Sequence, residues 1–153
     1  AIQSVENGKR KMIRDDYTGK IEQVNADLLE MLLNAGYLPV IAPVAVSHNG
    51  EALNVDADRA AAMVAGALKA ETLVLLTAVP GLMEKFPDES TLIKTISRER
   101  IPAALEMAQG RMKKKVLGSE EALNAGVGRV IIADGRVENP ISSALAGAGT
   151  VLQ

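Results

Sequence analysis

Apolar positions along this chain alternate between two rhythms. Leu38 to Val46, Thr72 to Thr77 and Arg129 to Ala133 are almost continuously apolar, the pattern of short strands buried on both faces. Between them the spacing turns helical. Leu28, Leu29, Leu32 and Leu33 form one stripe, opened by Asn25 as a cap and closed by Gly36. Ala60, Met63, Val64, Ala67 and Leu68 form a second, and Met112, Val116, Leu117, Leu123 and Val127 a third that Gly126 stops. Residues 98 to 109 read as a further helix, and Asn139-Pro140 starts a last one with proline at its first position. Leu92 to Ile96 and Gly149 to Leu152 read as short strands. Near the start, Asn7-Gly8 is a tight-turn signal that pairs residues 9 to 14 with the preceding segment as a hairpin. Asp15 to Lys20 follows as a polar loop, and Ser47 to Glu51 as a turn. Strands alternating with amphipathic helices predict an α/β layered domain with a largely parallel sheet.

Composition narrows the chemistry. The chain has 153 residues, 48% hydrophobic and 24% charged, enough for one domain with a sizeable core. A net charge of −2 argues against a general nucleic-acid surface, so any anion site must be a local cluster. There is no cysteine, and His48 is the only histidine; thiol nucleophiles, disulfides, thiolate zinc sites and histidine triads are excluded together. No apolar run approaches the ~20 residues that span a bilayer. The first eight residues lack the basic and apolar regions of a signal peptide, which leaves a cytoplasmic protein as the simplest expectation. The chain starts at Ala1 rather than Met, so it is expected to be a piece of a longer protein.

One stretch breaks a local rule. The helix that starts near Met112 carries Arg111, Lys113, Lys114 and Lys115 at its amino end, where the helix dipole disfavours each cation by about 0.3–1 kcal/mol. Free backbone N–H groups after Gly110, the dipole and a lysine together make a phosphate site; the plainer alternative is a solvated basic face. Two other loops stand where a parallel sheet gathers ligands, outside the carboxyl ends of its strands. Asn54, Asp56 and Asp58 flank a helix start, where capping alone accounts for acids, although acids there also orient lysines or hold magnesium. Thr77-Ala78-Val79-Pro80-Gly81-Leu82-Met83 is either an ordinary turn or a nucleotide edge, and it matches neither the P-loop nor the dinucleotide pattern. His48 reads as a solvated turn residue. Phe86 is equally suited to stacking on a base and to covering an apolar edge.

The order of these three segments, Asn-x-Asp-x-Asp, then an apolar strand ending in Val-Pro-Gly-Leu, then Gly-x-Met-x-x-Lys opening a helix, resembles the C-terminal, nucleotide-binding part of the amino acid kinase family. Asp16 to Asn25, Ala108 to Lys115 and Ala133 to Ile141 pull the resemblance toward the branch that phosphorylates carrier-bound amino acids, the LysW-aminoadipate/LysW-glutamate kinases. Acetylglutamate kinase is the neighbouring branch. The resemblance covers the chain from end to end and implies a three-layer αβα sandwich with a mainly parallel open sheet. It makes residues 1–153 a single C-terminal ATP-binding portion whose N-terminal substrate-binding part is absent.

It further implies ATP-dependent phosphorylation of a side-chain carboxylate of 2-aminoadipate or glutamate to an acyl phosphate, in lysine or arginine biosynthesis. ATP and Mg2+ are the implied cofactors, an amino-group carrier protein the implied partner, and a homodimer the implied assembly of the full-length protein. Lys115 matches the lysine that stabilises the transferring phosphoryl group, Asp58 the acid that organises the active-site lysines, and Asn54 a contact to the acyl substrate. Thr77 through Met83, with Met107, Gly110 and Met112, match the border of the adenine nucleotide. Carboxylate phosphorylation needs charge neutralisation and alignment more than a strong base, because the nucleophile is already an anion. Two departures stand out. Ala78 occupies a position where the family usually has Asp or Asn, and nothing matches the family's glycine-rich loop, its second catalytic lysine or its substrate-binding arginine. The chain alone is therefore expected to bind nucleotide weakly and hardly turn over. A non-catalytic nucleotide-sensing or storage module is the rival from another class, and a generic α/β interaction domain the third.

Overall fold

The structure is a computed structural model that describes residues 2–6, 9–13 and 17–153, the first two segments by their backbone pairing alone. The expected Asn7-Gly8 turn and Asp15-Asp16 lie outside the described residues. The chain divides into two compact units, Ala1–Ala60 and Ala61–Gln153.

The described residues of the first unit form two antiparallel strand pairs and one helix, and a second helix starts within it. Strands β1 (Ile2–Glu6) and β2 (Lys9–Ile13) pair antiparallel with Ile2 opposite Ile13 and Glu6 opposite Lys9. Helix α1 (Ala26–Asn34) starts where expected: the Asn25 side chain accepts from Leu28 N–H at 3.1 Å, satisfying one of the orphan donors of the first turn. Its apolar stripe is real, yet none of its residues is buried. Strands β3 (Val44–Val46) and β4 (Ala52–Asn54) form a second antiparallel pair around the Ser47–Glu51 turn, which Ser47 N–H closes onto the Glu51 carbonyl at 2.8 Å. The expected strand over residues 38–46 is thus cut to its last three residues. Among the described residues no strand pairs with 38–42, Pro39 and Pro43 lack the N–H a ladder needs, and Leu38 and Val40 stand 85% and 93% exposed.

Helix α2 (Ala57–Ala67) follows, and the second unit holds the sheet. Strands β5 (Thr72–Thr77), β6 (Thr95–Ile96), β7 (Arg129–Asp134) and β8 (Thr150–Leu152) lie in the order β5-β7-β8-β6. β5 runs parallel to β7 and β6 parallel to β8, with one antiparallel junction between β7 and β8. Helices α3 (Ile101–Met107), α4 (Gly110–Asn124) and α5 (Pro140–Leu145) complete it. The two-residue period of β7 sorts its side chains into two layers. Val130 and Ile132 join one core with Ala62 and Ala65 of α2, Ile101 and Ala104 of α3, and Val116, Ala122 and Leu123 of α4. Ile131 and Ala133 meet Ala144 of α5 on the opposite face. Helices on both faces make this the αβα sandwich with a mainly parallel sheet that the sequence resemblance implies.

Local details differ from the sequence reading. The buried face of α2 centres on Ala62 and Ala65, with Ala67 exposed; the helix is so rich in alanine that packing rather than side-chain size selects the face. Its close approach is enforced at Gly66, where a β-carbon would come 2.5 Å from Ala125 Cβ. The helix expected over 98–109 is a 3-10 turn at Arg98–Arg100, α3, and then a break, since Ala108 turns to an extended backbone. Asn139 precedes α5 but makes no side-chain cap; Pro140 at the first position is what marks that start. No helix among the described residues is long and apolar enough to cross a membrane.

Candidate functional site

In the second unit, the turn 125–128 joins α4 to β7, and the two pack together, so the amino end of α4 lies at the carboxyl end of β7. The parallel β5 ends at the same side, with Thr77 opposite Asp134. Three chain segments therefore leave the sheet together: 78–83 after β5, 135–139 after β7, and the Gly110 entry into α4. Leu82 and Ala108 are buried in one core, and Met112 packs against it.

Helix α4 starts at Gly110, two residues before the start near Met112 that the apolar spacing marks. Gln109 precedes it in extended conformation without a side-chain cap, and Gly110 takes a positive φ of 53° that L side chains adopt rarely. Arg111, Lys113 and Lys114 are exposed and Lys115 half-buried, with no acidic residue in the first turn. The opposite end is conventionally finished: Gly126 follows at φ 100°, and Arg98 Nη1 donates to the Leu123 carbonyl at 3.0 Å, a cation at the negative end of the dipole. Met107 is exposed and Met112 packs against the core.

The β5 loop has an open part and an anchored part. Ala78 is exposed and Val79 and Pro80 half-buried, whereas Gly81, Leu82 and Met83 are buried. Leu82 and Met83 are 3% and 5% exposed. At the strand end, Gly135 N–H donates to the Thr77 carbonyl at 2.8 Å. Beside it Asp134 accepts from Arg136 at three donors: backbone N–H and Nε, each at 2.9 Å, and Nη2 at 2.7 Å. Those Arg136 bonds hold the Asp134 carboxyl down to about 2.

Asn54 and Asp58 belong to the first unit. Asn54 ends β4 with both backbone groups engaged, its N–H to the Tyr17 carbonyl at 2.8 Å and its carbonyl from Gly19 N–H at 2.9 Å, while the residue stays exposed. Asp56 is the helix cap: its Oδ1 accepts from Asp58 N–H at 3.1 Å and Arg59 N–H at 3.2 Å. Capping accounts for Asp56, and Asp58 sits half-buried in the first turn of α2. His48 is a solvated turn residue 3.5 Å from Glu22, and Phe86 is 71% exposed. Among the described residues no three His, Asp or Glu side chains stand together as a metal cluster.

Sequence reasoning missed three polar contacts of this unit: Arg98 at the carboxyl end of α4, the Asp134–Arg136 pair, and Thr150, whose hydroxyl accepts from Leu82 N–H at 2.9 Å. Each acts across tens of residues or through geometry at a strand end, and periodicity reports neither.

A three-layer α/β domain with loops and a cationic helix start collected at one end of its parallel strands has the form of a nucleotide-binding fold. The model of the amino acid kinase family matches residues 1–134, and the chain belongs to that family. The [LysW]-aminoadipate kinase of Thermus thermophilus is 54% identical over 155 residues, covering 100% of this chain and 58% of the relative. That of Deinococcus radiodurans is 57% identical over 152 residues, covering 99% and 52%. Acetylglutamate kinases match at 39% to 41% identity. Among solved structures, N-acetylglutamate synthase from Neisseria gonorrhoeae, complexed with coenzyme A and L-arginine, aligns with a TM-score of 0.81 at 30% identity, over 97% of this chain and 34% of that one. The chain spans about half the length of the curated relatives it matches.

Proposed function

We propose that the polypeptide carrying this chain transfers the γ-phosphoryl group of ATP to the side-chain carboxylate of 2-aminoadipate or glutamate held on an amino-group carrier protein, forming an acyl phosphate. This chain is its nucleotide-binding portion. The single observation behind the choice is the gap in identity: 54% and 57% to relatives named for a LysW-linked substrate, against 39% to 41% to the acetylglutamate kinases above.

ATP supplies the transferable phosphoryl group, and magnesium accompanies its phosphate oxygens. Lys115, the sixth residue of α4 and so one turn in from its amino end, neutralises charge as it spreads over the phosphoryl oxygens. The edge Ala78 to Pro80, the more open part of the loop, borders the adenine nucleotide with Met107, Gly110 and Met112, and Thr77 with Gly81 to Met83 holds that edge in place. Asp58 orients lysines and Asn54 contacts the acyl substrate. Ala78 offers only its backbone and methyl group, so the contact the family usually makes there is replaced by main-chain atoms. The full-length protein is a homodimer in this reading.

The test is phosphoryl transfer by the full-length protein, with acyl phosphate trapped by hydroxylamine. Carrier-bound aminoadipate or glutamate should react and N-acetylglutamate should not; preference for the acetylated acid overturns the assignment in favour of acetylglutamate kinase. Lys115→Met should lower kcat by about 10²- to 10³-fold, the loss typical of removing one preorganised charge-stabilising group, with thermal stability retained. Undiminished turnover would remove Lys115 from the chemistry.

A further inference from the structure

We infer that Thr150 is the positioning residue of the nucleotide edge, fixing the β5 loop to the sheet so that Ala78 to Pro80 present themselves in one place. The inference rests on the nucleotide reading of residues 77–83 proposed above.

The hydroxyl closes a ring of three hydrogen bonds. Leu82 N–H donates to Thr150 Oγ1 at 2.9 Å, Thr150 Oγ1 donates to the Ile93 carbonyl at 2.7 Å, and Ile93 N–H donates to the Leu82 carbonyl at 2.9 Å. Thr150 is itself completely buried and sits in β8 opposite Ile132 of the central strand. The ring therefore ties the loop to the interior of the sheet. The contact is close enough to dictate the neighbouring residue: a β-carbon on Gly81 would lie 2.5 Å from Thr150 Oγ1 and 2.9 Å from Leu92 Cδ1. At its other end the loop is held by the bond from Gly135 N–H to the Thr77 carbonyl. Ala78, Val79 and Pro80 are strung between these two fixed points, and they are the more open residues of the loop.

The chemistry selects the residue type. The position needs one group that accepts from an N–H and donates to a carbonyl, within the space Gly81 leaves, on a β-strand; a threonine hydroxyl does both, and its branched β-carbon restricts the rotamer. Valine keeps the shape and loses both bonds, leaving a buried donor and a buried acceptor without that partner. Serine keeps the bonds and loses a methyl group. A loop released by valine samples several positions, and an edge that recognises a nucleotide by main-chain placement weakens with them.

The experiment compares Thr150→Val and Thr150→Ser in the full-length protein, measuring Kd for Mg·ATP by calorimetry together with KM for ATP and kcat. Thr150→Val should raise Kd and KM for ATP by about fivefold to tenfold, the scale of one lost buried hydrogen-bond pairing, with kcat changed less than KM. Thr150→Ser should remain within about twofold of wild type, because the lost methyl is a small packing change beside the retained bonds. A merely structural threonine would lower thermal stability without this split in KM and without rescue by serine. Wild-type affinity in Thr150→Val, or equal losses in the valine and serine variants, overturns the inference while leaving the nucleotide reading intact. Failure of the wild-type protein to bind Mg·ATP overturns the nucleotide reading and the inference with it. Should Thr150→Val not fold, Thr150→Cys, a weak donor and acceptor of similar size, takes its place with the same expected ordering.

Discussion

Residues 38–46 and β7 carry nearly the same sequence pattern and meet opposite fates. Leu38 and Val40 are 85% and 93% exposed, whereas Val130, Ile131, Ile132 and Ala133 are each no more than 1% exposed. The difference is one of neighbours. β7 has β5 on one side, β8 on the other and helices on both faces; the described residues give 38–42 no strand to pair with. A run of apolar residues states a demand for burial, and only the surrounding chain decides whether it is met. The same contrast holds between the units: α1 buries no residue, while α4 buries five.

The largest test of this contrast is Ile132→Ala against Val40→Ala, followed by urea denaturation. Ile132→Ala should cost about 2–5 kcal/mol, the transfer and cavity terms of a close-packed core, and Val40→Ala in this chain within about 0.5 kcal/mol, as at other exposed sites. In the full-length protein, a Val40→Ala cost approaching that of Ile132→Ala would show that further polypeptide covers the run there. A middle-sized effect is expected from Gly66→Ala: its β-carbon would press on Ala125, and the strain should lower stability by about 1–3 kcal/mol in a thermal melt. A neutral or stabilising outcome would mean that α2 and the end of α4 separate freely, which the core described above does not allow.

The smallest effect is electrostatic and lies at the strand end. Arg136 lowers the Asp134 carboxyl from 3.8 to about 2, so the pair contributes stability fully above the unfolded value and loses it as pH falls through that window. Asp134→Asn should flatten that segment of a plot of melting temperature against pH by lowering the neutral-pH end slightly and leaving the acid end unchanged, a small effect because the guanidinium is exposed. A pH profile identical to wild type would show that the pair does not distinguish the folded state.

What was legible in the sequence was local. The Asn25 cap, the glycine stop at Gly126, the β7 strand and the cationic start of α4 each depend on residues within a turn or two, and each stands where the pattern put it. β5 shares the apolar run of β7, but its place at the sheet edge leaves Leu76 exposed and only Leu75 fully buried. Strand order is a property of distant pairings, so composition cannot report it. For the same reason the basic segment and the Val-Pro-Gly-Leu loop were visible as candidates, whereas Arg98 beneath α4 and Thr150 beneath Leu82 were not: a lone arginine and a threonine in a strand carry no periodic signal. Asp56 shows the converse, since capping, the plainer of its two readings, is the one its hydrogen bonds bear out.

The order in which the sheet is assembled sets a timetable for synthesis. Arg129 bonds to Thr72, and Thr150 to Ile93, each across 57 residues, and β7 is an inner strand that packs on helices at both faces. A chain emerging from the ribosome therefore holds β5, α2, α3 and α4 for some time before the strand that unites them exists. Folding of the second unit is governed by contacts of high sequence separation, which form slowly and close late. During that interval the alanine face of α2 and the apolar run of β5 are without their final partner, and they are the surfaces a chaperone would meet.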